Sequence, residues 1–136
     1  MCCGVSLTFS ALLVVGKPAL LVCWAGACPV CRRELPEVQE VYEAFDDEVV
    51  FVGLDVGAYT GLGDRDDALA LIETLGMTFP AGGSPEPTVL QAYRVTGIPT
   101  TLLFKADGEL FHRFDGLTDR ETLREQVEAL VAATEG

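Results

Sequence analysis

The feature that most narrows what this chain can fold into is Cys28-Pro29-Val30-Cys31, which follows an apolar run, Leu20-Leu21-Val22-Cys23-Trp24-Ala25, and a small-residue turn, Gly26-Ala27. The run reads as a strand buried on both faces. From Pro29 onward the period changes. Leu35, Val38, Val41, Tyr42 and Phe45 recur at threes and fours, the pattern of an amphipathic helix, with Glu34, Glu37, Glu40 and Glu43 assigned to its outward face. Pro29 suits the first turn, where no N–H is needed, and Pro36 is expected to kink the helix before Asp46-Asp47 ends it. Cysteines at i and i+3 share a helical face and can close a small disulfide ring. Cys28 falls where unpaired N–H groups and the helix dipole favour an anion, hence a thiolate, and Cys31 lies about a turn deeper, placed to attack a mixed disulfide.

The rest of the chain is read around that strand and helix. Residues 4–15 and Val49–Val56 read as strands, Gly57–Asp67 as a glycine-rich loop, and Asp67–Leu75 as a helix stopped by Gly76. Met77–Pro80 reads as extended, Gly82–Pro85 as a loop, and Pro87–Tyr93 as a short helix. Thr101–Phe104 and Leu110–Phe114 form a hairpin about Asp107-Gly108. Thr118–Ala133 is a helix opened by the capping box Thr118-Asp119-Arg120-Glu121, with Leu123, Val127, Leu130 and Val131 as its buried stripe. That order predicts an α/β domain with a central mixed sheet and helices on both faces.

Composition removes several classes of function. The chain has 136 residues, enough for one domain with its own core, so residues 1–136 are read as a single unit with 1–6 as a tail or trimmed end. The formal net charge of −12 argues against a nucleic-acid partner, which needs clustered Lys and Arg. No stretch approaches the ~20 apolar residues of a membrane span. Val5–Val15 is apolar, but no Lys or Arg precedes it and no A-x-A site follows, so it is not read as a signal peptide. Five cysteines cannot all pair. Cys23 is expected to be an inert core thiol, and Cys2 and Cys3 belong to the tail. No metal is expected: zinc wants four ligands, Cys2 and Cys3 are adjacent rather than spaced, and His112 falls on a hairpin strand.

Four ordered blocks carry a family resemblance. Gly16-Lys17-Pro18 leads into Leu-Leu-Val-Cys-Trp-Ala and the CxxC pair; Val49–Asp55 precedes an additional helix; Ala92-Tyr93-Arg94-Val95-Thr96-Gly97-Ile98-Pro99-Thr100-Thr101 forms a loop; and Asp107-Gly108 and Asp115-Gly116 follow. Together they resemble the thioredoxin superfamily, specifically its TlpA/ResA-like thiol–disulfide oxidoreductases, over about residues 7–133. The resemblance implies a thioredoxin-like fold with an extra helix inserted after the βα unit that follows the CxxC. It also implies catalysis by Cys28 and Cys31, a cis Pro99 facing them, an Ile98 backbone that pairs with an extended client, and Trp24 beside the site, with Ala27 and Pro29 flanking the nucleophile. Ala27 stands where the family has a tryptophan, and Gly26 replaces a larger residue, which leaves a bare rim. The family glutamate falls near Ala58, so Asp55 is the nearest candidate proton acceptor. No cofactor beyond the Cys28–Cys31 disulfide is implied. The expected partners are disulfide- or thiol-containing client proteins and an upstream thiol donor, the expected state is a monomer, and the expected location is extracytoplasmic, with the cytoplasm as the alternative. The competing class is a non-enzymatic thiol module that binds a soft metal or a client peptide.

Overall fold

A computed structural model describes residues 16–83 and 88–135. The apolar run becomes β1 (Ala19–Trp24), and the CxxC opens α1 (Pro29–Phe45). There follow β2 (Val50–Asp55), α2 (Gly57–Thr60), α3 (Arg65–Leu75), β3 (Ala81–Gly83), α4 (Thr88–Ala92), β4 (Thr100–Phe104), β5 (Leu110–Asp115) and α5 (Arg120–Glu135). The five strands form one sheet in the order β3-β2-β1-β4-β5. β1, β2 and β3 run parallel, while β4 is antiparallel to both β1 and β5. β1 lies at the centre of the sheet, which explains why its sequence is apolar without alternation: both of its faces are covered.

Those faces carry separate cores. Leu20, Val22 and Trp24 point to the side covered by α1, α3 and α5, through Leu35, Val38, Leu71, Leu123 and Val127. Ala19, Leu21 and Cys23 point to the other side, with Val52, Leu54, Leu102 and Val89 of α4. Each fully buried Leu or Val contributes roughly 1.5–3 kcal/mol relative to exposure.

Several expectations shift. The strand expected within residues 4–15, the tail with Cys2 and Cys3, and Ser84-Pro85 and Pro87 lie outside the described residues. The glycine-rich loop after β2 contains a turn of helix, α2, at whose start the Asp55 carboxylate accepts the Gly57 N–H. α3 begins earlier than expected, capped by Asp64, whose side chain accepts from Asp67 N while the Asp67 carboxylate accepts from Asp64 N. Ala81–Gly83 pairs with Gly53–Asp55 as a strand, so Gly82-Gly83 is not a loop. α1 continues through the exposed Pro36 to Phe45. α5 is capped by Asp119, which accepts Thr122 N at 2.7 Å, and not by Thr118, whose N–H is engaged elsewhere.

Candidate active site

β1 ends at the turn Ala25–Ala27, and Cys28 is the N-cap of α1, with its sulfur accepting the Cys31 N–H at 3.1 Å. An N-cap side chain satisfies one of the first turn's orphan donors. Here the acceptor is sulfur, so the helix end holds the nucleophile candidate directly. Pro29 is the first helical residue and is exposed. Cys28 is 4% exposed and Cys31 is fully buried, and both are free thiols. The Cys31 thiol is held well above its usual range, first by burial and then by the adjoining Cys28 sulfur. The negative charge of Glu34 adds to the effect, and a backbone contact with Ala25 opposes it.

Glu34 is the residue that sequence reasoning put on the wrong face. It is fully buried, one turn beyond Cys31, and its two carboxylate oxygens receive Thr118 N at 2.7 Å and the Thr101 hydroxyl at 3.4 Å. Burial pushes its pKa up to about 7 even against those two hydrogen bonds. The signal was present in the spacing: positions 28, 31 and 34 or 35 followed by 38 trace one stripe on a 3.6-residue period. A carboxylate on that stripe stays buried only if donors meet it, and β4 and the β5–α5 link supply them.

Antiparallel pairing brings the start of β4 to the end of β1, with Cys23 opposite Thr100. The loop before β4 is thereby carried to the CxxC turn. Its Ile98–Pro99 bond is cis, Pro99 is buried, and the Pro99 carbonyl accepts Gly116 N at 2.8 Å. Ile98 is half-buried and packs against both cores. Trp24 is fully buried over Gly53, where a Cβ would lie 2.9 Å from its Nε1; that nitrogen has no hydrogen-bond partner among the described residues. Trp24 belongs to the same core as Cys28 and Cys31. Ala27 is exposed and donates its N–H to the Leu62 carbonyl at 2.8 Å. Asp55 is half-buried; its pKa is raised by burial and by neighbouring Asp64, with the Gly57 N–H opposing. Of the Glu34 and Asp55 carboxylates, Glu34 is the one whose negative charge adds to the raised pKa of Cys31. Among the described residues no group of three His, Cys, Asp or Glu is placed to hold a metal ion.

This α/β sheet with a CxxC at the head of its first helix defines a thioredoxin-like class of protein. A family model described as a thioredoxin-like domain matches residues 8–130, and the chain belongs to that family. It is 28% identical over 116 residues to the thiol-disulfide oxidoreductase ResA of Geobacillus kaustophilus, covering 85% of this chain and 64% of that protein. It is 25% identical over 125 residues to the thiol:disulfide interchange protein DsbE of Allochromatium vinosum, covering 91% of this chain and 65% of that one. The crystal structure of StoA from Bacillus subtilis superposes with a TM-score of 0.71 at 27% identity, covering 82% of this chain and 83% of that one. The chain thus spans slightly less than two thirds of the length of these ResA and DsbE relatives. Among the described residues no helix is long and apolar enough to cross a membrane.

Proposed function

We propose that this chain is a thiol–disulfide oxidoreductase that reduces disulfides in partner proteins. The observation that carries the reading is the Cys28 sulfur at the N-cap of α1, accepting the Cys31 N–H, with buried Glu34 one turn behind. The Cys28 thiolate attacks one sulfur of a client disulfide, forming a Cys28–client disulfide and releasing the client's other sulfur as a thiolate. Cys31 then gives up its proton, and its thiolate attacks the Cys28 sulfur, releasing the second client sulfur. The protein's dithiol becomes a disulfide and the client's disulfide a dithiol, with two electrons and two protons transferred. No metal or organic cofactor enters these steps.

Cys31 is the more deeply buried thiol and needs an acceptor for its proton. Glu34 fits that role better than Asp55, because its charge acts on Cys31 and its pKa of about 7 lets it take and return a proton near neutrality. Pro99 and Ile98, with Ala27 and Pro29, form the surroundings a client meets, and Trp24 backs them. The likeness to proteins named ResA and DsbE favours an extracytoplasmic reductant of apocytochrome c or similar oxidised thiols, recharged by an upstream thiol donor.

The test is the reduction potential of the Cys28–Cys31 pair, equilibrated in thiol buffers. A value near roughly −270 mV supports the reductant, and one near roughly −120 mV would make the chain an oxidant that installs disulfides. A pair that forms no disulfide at any poise overturns the oxidoreductase reading.

A further inference from the structure

Cys28 is only 4% exposed, so a client sulfur reaches it only when the client presses on the residues around it. Part of that rim is local sequence: Ala27, Pro29 and Val30. The other part comes from the β2–β3 connection, which is drawn hard against the turn. Two close approaches require glycine. A Cβ on Gly26 would lie 2.3 Å from the Asp67 carbonyl carbon, and one on Gly63 would lie 2.9 Å from Ala27 N. Gly63 also sits at φ +116°, in the region that favours glycine. The contact is sealed by Ala27 N donating to the Leu62 carbonyl at 2.8 Å. At its far end the connection is tied to α1 by Gln39, whose amide donates to the Thr78 hydroxyl at 2.7 Å and accepts Thr78 N at 2.9 Å.

The segment carrying Leu62 is therefore fixed to the nucleophile's turn and to the helix behind it. The Leu62 carbonyl is engaged, yet Leu62 remains 37% exposed, and the residue it is bonded to, Ala27, offers almost no side chain of its own. Asp64, Asp66 and Asp67 follow immediately at the head of α3 and disfavour an acidic client at this edge. We propose that Leu62 is a specificity-determining residue: its side chain is the wall against which an apolar residue flanking a client's reactive cysteine packs while Cys28 attacks. This rests on the oxidoreductase reading, and it adds the chemistry of the preferred client.

The test is Leu62→Ser, which keeps the main-chain carbonyl and so the bond to Ala27. Three disulfide substrates are compared: a peptide with leucine flanking its cysteines, the same peptide with serine there, and bis(2-hydroxyethyl) disulfide. For the leucine peptide KM is expected to rise about three- to tenfold with kcat unchanged. The serine peptide, the small disulfide and the potential of the Cys28–Cys31 pair should match the parent. Leu62→Met should restore the parent KM. An unchanged KM for the leucine peptide overturns the proposal, as does an equal loss on all three substrates, which would mark a structural role. If the parent chain reduces none of the three, the oxidoreductase reading itself fails and this inference falls with it.

Discussion

Cys23 and Cys31 are both fully buried thiols, and burial holds both above the usual thiol range, Cys23 at about 12. They lie on opposite faces of the sheet. Cys23 belongs with Leu21, Leu54 and Leu102, and the charge acting on it is Arg113, already engaged by Asp115 and by the Tyr93 carbonyl. Cys31 has a second sulfur 3.1 Å from its amide nitrogen and a carboxylate whose charge acts on it. A buried thiol becomes chemically useful when a partner sulfur is in reach and its proton has somewhere to go. One face of the sheet supplies both; the other supplies packing.

The hardest test of that contrast is to remove each sulfur in turn. Cys28→Ser should lower disulfide reduction by roughly 10³-fold or more, because the attacking atom is gone. Cys31→Ser should stop turnover at a different point and leave a Cys28–client disulfide, visible as a mass adduct that dithiothreitol removes. If Cys28→Ser reduced a client at the parent rate, the reactive face would have been misassigned.

Glu34 supplies the next largest effect. Its pKa of about 7 lies above its usual 4.5, so the unfolded chain loses this proton at lower pH than the folded one. The folded state therefore binds more protons between those values, and stability falls as pH rises from about 4.5 through about 7. The difference is on the order of 3 kcal/mol. Glu34→Gln should flatten that slope in urea unfolding followed from pH 4 to 8. It should also slow the Cys31 step, seen as accumulated mixed disulfide, and remove the pH dependence of that step near neutrality. Asp55→Asn should leave the Cys31 step intact, since the carboxylate whose charge bears on Cys31 is Glu34 and not Asp55. A block by Asp55→Asn with a normal Glu34→Gln would reverse the assignment.

The reactive face was largely legible in the sequence because its signals are local. A buried strand, a small-residue turn and a CxxC at a helix start can be read residue by residue, and they put Cys28 at the N-cap of α1 and Cys31 in its first turn. Glu34 was not legible from polarity, since a carboxylate defaults to solvent; its donors come from Thr101 and Thr118, far along the chain. The cap of α5 was misplaced by one residue. Thr118 N donates to Glu34, and the side chain of the next residue, Asp119, caps α5. At Ala81–Gly83, Gly-Gly reads as a loop by its own chemistry, and only pairing with Gly53–Asp55 makes it a strand. Glu34 and β3 were decided by tertiary partners, whereas the turn α2 and the early start of α3 rest on the local Asp55–Gly57 and Asp64–Asp67 hydrogen bonds.

The smallest effect belongs to Cys23. At about 12 its pKa leaves almost no thiolate at neutral pH, and its neighbours are the apolar side chains of the second core. Cys23→Ala removes one buried atom, for a loss of about 1–2 kcal/mol in unfolding. Disulfide reduction and the potential of the Cys28–Cys31 pair should be unchanged. Iodoacetamide should label the folded parent at Cys28 well before Cys23, read by peptide mass. Labelling of Cys23 at a comparable rate, or a shifted potential in Cys23→Ala, would mean that the two faces communicate through β1 and that the second core is part of the redox device.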